Sequence, residues 1–324
     1  MAHREGGRLT LPRSATEAKA MDGERIAKVM ARAGLCSRRE AEGWIAAGRV
    51  AVNGRVIDSP ALNVSPQDRV AVDGAFLPDP EPTRLWRYHK TRGTVTSRAD
   101  PEGRPVLFDR LPPEMPRVVS IGRLDINTEG LLLLTNDGHL SRALELPSTG
   151  WLRRYRVRVH GEVEPAMLDA LQAGMTVDGV RYGPVDARVD REQGANAWLT
   201  LGLREGKNRE IKKLLQHFHL HVTRLIRISF GPFQLGDLAE GAAEEVKPRV
   251  LRDQLGEKVL TDHRIVLPES RADKPGAAGA APAKAPKKVA KRVGKPFGKP
   301  RGRDGSSGAG PVKEVVRARR RRPT

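Results

Sequence analysis

Four consecutive leucines, Leu131 to Leu134, constrain the fold of this chain more than any other feature. A run of that kind with no polar break reads as a strand buried on both faces. Asn136-Asp137-Gly138 behind it reads as a tight turn. The segment ahead of it, SIGRLDINTEG, is then a loop feeding a core strand, with Asp125 beside the Arg123-Leu124 step. Loops carried by a rigid scaffold are favoured places for reactive groups. They are equally ordinary places for an aspartate to cap a turn, so position alone leaves both readings open.

The rhythm around the leucines sets the fold class. LWRYHK, GTVTS, RVVSIG, RRYRVRVHG, VDARVD, AWLTLGL and TRLIRISFG read as strands, and GHLSRALEL, PAMLDALQAG and NREIKKLLQHF as helices. There is no strict alternation, which argues for an α+β domain with a largely antiparallel, mixed sheet over residues 84–256. In RRYRVRV, alternation puts Tyr155, Val157 and Val159 on one face and Arg154, Arg156 and Arg158 on the other. In REGKNREIKKLL a strand ends at Glu205-Gly206 and a helix starts near Asn208. Lys207 and Arg209 then lie where the macrodipole disfavours cations, so they need an anionic partner, a phosphate or a carboxylate such as Asp125.

A smaller block precedes this domain, over residues 22–82. Ile26, Val29, Met30 and Ala33 repeat at helical spacing until Gly34, and Ser37 with Glu40 forms a capping box for a second helix. Asn53-Gly54 within RVAVNGRVI marks a hairpin. Lys28, Arg32, Arg38, Arg39, Arg49 and Arg55 fall largely at polar positions and cluster at the helix junction.

Charge names a partner class. The net charge of +19 is uneven: from Arg271 to Thr324 there are 17 Lys/Arg against 3 Asp/Glu. With one aromatic residue, Phe297, residues 257–324 are expected to be a linker and a disordered cationic tail attracted to phosphates. Residues 1–21 are expected to be a disordered extension. The single cysteine, Cys36, excludes a disulfide framework and a thiolate zinc site. HFHLH, His217 to His221, lies at a helix end without nearby carboxylates, and no metal is expected there. No apolar run approaches the ~20 residues of a membrane span. The N-terminus lacks the apolar stretch of a signal peptide, so the expected location is the cytoplasm. Nothing suggests a coiled coil or an apolar dimer face, and a monomer is expected.

Two resemblances follow from these stretches. ERIAKVMARAGLCSRREAEGWIAAGRVAVNGRVI…DRVAVDG resembles the small RNA-binding module first described in ribosomal protein S4. It implies docking on structured RNA through phosphate and shape contacts. GRLDINTEGLLLLTNDG, RRYRVRV, LREGKNREIKKLL and TRLIRISFGPFQLGDLAEG, in this order, resemble the catalytic domain of pseudouridine synthases. The likeness is to the branch that modifies ribosomal RNA and carries an S4-like module, and EGKNREIKKLL is most like its large-subunit enzymes. The resemblance implies isomerisation of uridine in 23S ribosomal RNA without a cofactor. It implies Asp125 as the catalytic carboxylate, Lys207 as its basic partner and Tyr155 stacking on the target base. Leu225 and Arg209 would belong to the pocket, and Arg123 would fill the space the extruded base leaves. Thr91 stands where a proline is common, and Glu244 where a basic residue is frequent. Two other readings remain: an RNA-binding ribosome assembly factor without catalysis, and a DNA binder driven by the tail.

Overall fold

The computed structural model describes residues 23–146 and 149–268. The expected N-terminal extension, residues 1–21, and the cationic tail beyond 268 lie outside the described residues.

The first block contains helices α1 (Ile26–Arg32) and α2 (Arg38–Ala46) and a four-stranded sheet of Val50–Val52, Arg55–Val56, Val70–Val72 and Ala75–Phe76. Ser37 Oγ accepts from the Glu40 amide at 3.2 Å while Glu40 Oε2 accepts from the Ser37 amide at 2.5 Å. A cap of this type stabilises a helix start by roughly 1 kcal/mol. Asn53 and Gly54, at φ +51° and +80°, form the left-handed pair of the expected hairpin. A second such pair, Asp73-Gly74, adds the strand Ala75–Phe76. Ile26, Met30, Cys36, Ala41, Ile45 and Val50 are the centre of a small core.

The second block is built on a nine-stranded sheet. Its strands are β1 (Leu85–Lys90), β2 (Val119–Ile121), β3 (Glu129–Thr135), β4 (Arg153–His160), β5 (Asp186–Gln193), β6 (Asn196–Leu203), β7 (His221–Phe230), β8 (Phe233–Gln234) and β9 (Ala243–Glu245). They lie in the order β5-β6-β4-β7-β3-β1-β9, with β2 on β3 and β8 on β7. Every pairing is antiparallel except β3 with β7, which is parallel and joins Ile226 to Glu129 and Arg227 to Gly130. Around it lie α3 (Gly138–Glu145), α4 (Pro165–Ala173), α5 (Glu210–His217) and α6 (Pro248–Asp262).

The leucine run has its explanation here. Strand β3 is buried at all its positions. Leu132 and Leu134 enter the core that holds Tyr88, Val157 and Leu199, whereas Leu131 and Leu133 enter a second core with Leu85, Phe230 and Leu255. Each face of the sheet has its own core, so none of the four leucines can be replaced by a polar residue without cost. Burying each leucine stabilises the fold by about 1.5–3 kcal/mol.

Two expectations are corrected. GTVTS is a loop and not a strand: Gly93 turns at φ +81° and only Val95 bridges to Val106. The packed chain also continues past Gly256. That glycine kinks α6 at φ +73°, and Leu260 and Ile265 beyond it are buried in the second core. The Thr83 amide donates to Val266 O at 2.6 Å, which ties this C-terminal stretch to the start of the domain.

Candidate active site

Asp125 lies in a loop whose shape is fixed by its carbonyls. Gly122, at φ +68°, opens the loop, and its amide donates to Glu145 Oε1 at 2.8 Å. Thr96 Oγ1 donates to Leu124 O at 3.0 Å, and the Gly93 amide to Ile126 O at 2.8 Å. Lys90 Nζ, fully buried at the end of β1, reaches Thr128 O at 3.0 Å and Ile126 O at 3.4 Å, and also Thr91 O at 3.0 Å. The Thr128 amide closes the turn on Asp125 O at 2.9 Å. The residues 90–96 loop therefore grips the backbone on either side of Asp125 and leaves its carboxylate free to point elsewhere. Thr91, in place of the common proline, accepts from Lys90 and from Thr94 Oγ1 through its own carbonyl.

The carboxylate meets a lysine, and not the expected one. Lys212 Nζ donates to Asp125 Oδ2 at 2.8 Å, with side-chain exposures of 18% and 34%. The pairing of Lys207 with Asp125 is overturned: Lys207 Nζ bonds Glu205, and its amide donates to Glu210 Oε2 at 2.9 Å. The helix start accounts for this. Arg209 adopts the left-handed conformation, φ +52° and ψ +31°, as the N-cap of α5, so the helix proper begins at Glu210. The acidic side chain at that terminus satisfies the macrodipole, and Glu205 supplies the anion that Lys207 needs. In the first turn of α5, Lys212 borders the buried stripe of Ile211, Leu214 and Leu215 and extends to the loop. Burial keeps the Glu210 carboxyl above its usual range. Burial also lowers Lys90 to about 8, opposed by the nearby Asp125 and Glu129 charges.

A cavity of about 890 Å³ gathers the other candidates. Arg123, Asp125, Tyr155, Lys207, Arg209 and Leu225 all line it, as do Lys212, Arg153 and Arg227. Tyr155 and Leu225 come from neighbouring strands β4 and β7, where Val157 faces Leu225. Tyr155 is at once a core residue, 9% exposed, and part of this wall. Arg227 is buried with Nε on Leu131 O at 2.7 Å. The cavity is thus bounded by the acidic loop ahead of β3 and by side chains of β4, β7 and the start of α5. Sequence reasoning missed Lys212 and Lys90. For Lys212 the available signal was its place next to Ile211 on the apolar stripe; nothing local marks Lys90.

The candidate RNA contacts of the first block divide. Arg38, Arg39 and Arg55 are exposed and Arg32 is partly so. Lys28 is paired with Glu24, and Arg49 forms a two-pronged pair with Asp73 while lying 4.9 Å over the Trp44 ring. Both of these are engaged in ion pairs within the block. Glu244, in place of a basic residue, pairs with Arg87 at 2.8 Å. The three histidines fall on different local structures: His217 ends α5, His219 turns at φ +58° and His221 starts β7.

Comparison with known proteins fits this geometry. Residues 24–70 match the S4 domain, and residues 84–217 match the family described as RNA pseudouridylate synthase. An uncharacterized RNA pseudouridine synthase of Rickettsia felis is 42% identical over 228 residues, 70% of this chain and 99% of its own length. The chain belongs to the RNA pseudouridine synthases. Ribosomal large subunit pseudouridine synthase B of Pseudomonas aeruginosa is 43% identical over 244 residues, 73% of this chain and 63% of that protein. The protein of the same name from Haemophilus influenzae is 38% identical over 275 residues, 82% and 77% of the two chains. A crystal structure of a pseudouridylate synthase superposes with a TM-score of 0.51 at 24% identity, over 72% of this chain and 99% of that one, and shows the same fold. This pseudouridine synthase is an enzyme with an S4 domain in front of its catalytic sheet. Among its described residues no helix is long and apolar enough to cross a membrane.

Proposed function

We propose that this enzyme isomerises specific uridines in ribosomal RNA of the large subunit, acting as a monomer in the cytoplasm, with Asp125 as its catalytic group. The observation that carries the reading is the Asp125–Lys212 pair at the edge of a cavity walled by Tyr155 and Leu225. A carboxylate facing an anionic polymer is unfavourable for a plain RNA binder. It is required where a ribose must be attacked or deprotonated. The relatives named for large-subunit RNA and the exposed arginines of the S4 domain support the substrate class.

The reaction breaks the bond between ribose C1′ and N1 of uracil and forms one between C1′ and C5, with the proton on C5 transferred to N1 overall. No electrons are exchanged. The uridine first leaves its helix at a cost of a few kcal/mol. Arg123, exposed at the cavity rim, has the planar group to occupy the vacated stack. Tyr155 then presents its ring to the base, and Leu225 excludes water from the apolar side. Lys212 holds Asp125 oriented as a carboxylate, at the sugar.

The test is to map pseudouridines in large-subunit RNA made with the wild-type chain, with Asp125→Asn, and with no enzyme. Product should vanish with Asp125→Asn while RNA binding persists. Pseudouridine still formed by that variant would remove Asp125 from the mechanism.

A further inference from the structure

On the side of the sheet away from Tyr155 and Leu225, the part built by β5, β6, β4 and the start of β7 is left exposed and carries a second feature. Four residues stand in register across four strands: Arg191 on β5 is opposite Trp198 on β6, Trp198 is opposite Arg158 on β4, and Arg158 is opposite Arg224 on β7. Together with Gln193 and Asn196 they enclose a groove of about 430 Å³. Arg156 lies 4.9 Å over the Trp198 ring.

The charges of this face are not balanced from within. Asp190 is shared between Arg188 at 3.3 Å and Arg156 at 3.8 Å and also accepts from Thr200 at 2.7 Å. Arg224 is turned to Glu129 at 2.8 Å. Arg158 and Arg191, in the groove itself, form no ion pair among the described residues. Like charges on directly opposite strand positions destabilise a sheet, and Arg158 faces Arg224 in this way. A face that is merely solvated has no need of a groove lined by three arginines and no carboxylate. One that meets phosphates gains from this arrangement, since arginine forks match phosphate oxygens and an indole flanked by guanidinium stacks a base.

We propose that this groove is a second RNA-binding site, which takes a single-stranded segment of the substrate other than the one holding the target uridine. Two phosphates sit on Arg158 and Arg191, and the base between them packs on Trp198. The S4 domain and the catalytic cleft contact the RNA elsewhere, so the groove adds affinity and register without touching the reacting atoms.

This rests on RNA being the substrate, and one experiment separates the two claims. Wild type, Asp125→Asn and the double variant Arg158→Gln/Arg191→Gln, all as full chains, are titrated with a large-subunit RNA transcript over a salt series while pseudouridine is measured in parallel. Losing two phosphate contacts should weaken binding roughly tenfold. The plot of log affinity against log salt should become shallower by about 1.4. KM should rise by the same factor with kcat unchanged, and Asp125→Asn should bind as wild type does. Ultraviolet cross-linking of the unaltered enzyme should place RNA on the peptide containing Trp198, a readout that needs no substitution. A double variant with the wild-type salt slope, or cross-links confined to the S4 domain and the cleft, overturns the proposal. So does an unchanged slope with lost affinity for polyglutamate, which would make the face a contact for acidic protein. A wild-type chain that binds the transcript and forms no pseudouridine refutes the functional reading, and the salt slope still decides the groove.

Discussion

Lys212 donates to Asp125 across 87 positions of sequence, at 2.8 Å, and this bond ties helix α5 to the loop ahead of β3. Lys207, five residues earlier, belongs to Glu205. The two lysines therefore separate by substitution. Lys212→Met leaves the carboxylate without its donor and should lower single-turnover pseudouridine formation by roughly 100-fold, with Lys212→Arg intermediate. Lys207→Met should stay within a few-fold of wild type. The reverse order would show that the pair rearranges when RNA binds.

The contrast between these lysines shows what can be read before folding. Strand β3 was legible because both its faces are buried, which leaves an unbroken run of four leucines. Tyr155 was legible as a residue on the apolar face of β4, since a period of two fixes which side chains share a side. Lys212 was not. Its direction depends on how α5 packs against a loop formed 87 residues earlier, and a helical wheel reports only that it borders the apolar stripe. Lys90 gave no signal because a buried lysine is explained only by the carbonyls around it. The end of the domain was misplaced for a related reason: only the core shows that Leu260 and Ile265, beyond Gly256, still pack.

Lys90 links the fold to pH. Burial lowers its pKa from 10.5 to about 8, against the pull of Asp125 and Glu129. The folded state thus binds fewer protons than the unfolded state between about pH 8 and 10.5, so this group makes stability rise with pH there. Activity should run the opposite way, because above about pH 8 the charge that grips Ile126 O and Thr128 O is lost. Lys90→Met should lower kcat roughly tenfold at neutral pH and abolish the alkaline fall. Its melting temperature should change little, since losing a buried charge offsets the abandoned carbonyls. A pH–rate profile of the variant that keeps the wild-type alkaline limb would exclude Lys90 as its source.

Glu24 joins the S4 domain to the catalytic domain. Its Oε1 lies 2.8 Å from His139 Nε2, at the start of α3, and it also pairs with Lys28. The His139 bond first, then Lys28, hold its pKa at about 2 rather than 4.5, despite partial burial. A depressed carboxyl gives stability that is complete above about pH 4.5 and lost as pH falls towards 2. With Glu24 at 22% exposure, the contribution is on the order of 1–2 kcal/mol. Glu24→Gln should remove it at neutral pH and flatten the acid limb of a urea-denaturation series. Hydrogen exchange should rise at the N-terminus of α3, and an unaltered acid limb would show that the two domains do not meet through this pair.

Gly130 is where the two halves of the site are fastened. It stands at φ +100° opposite Arg227 in the parallel pairing of β3 with β7. A methyl group added there would lie 2.3 Å from Arg227 O and 2.7 Å from Arg227 N, both backbone atoms at the centre of a sheet. Neither strand can yield locally, because β3 is held by β1 and β2 and β7 by β4. Gly130→Ala should cost about 3 kcal/mol or more, from the clash and the left-handed backbone together. Because Asp125 enters from β3 while Tyr155 and Leu225 come from β4 and β7, the same wedge would part the carboxylate from the ring. Activity should therefore fall further than the folded fraction does. Urea titration and turnover measured on the same preparation decide this: a variant whose activity tracks its folded fraction would show that the junction supports the fold without setting the geometry of the site.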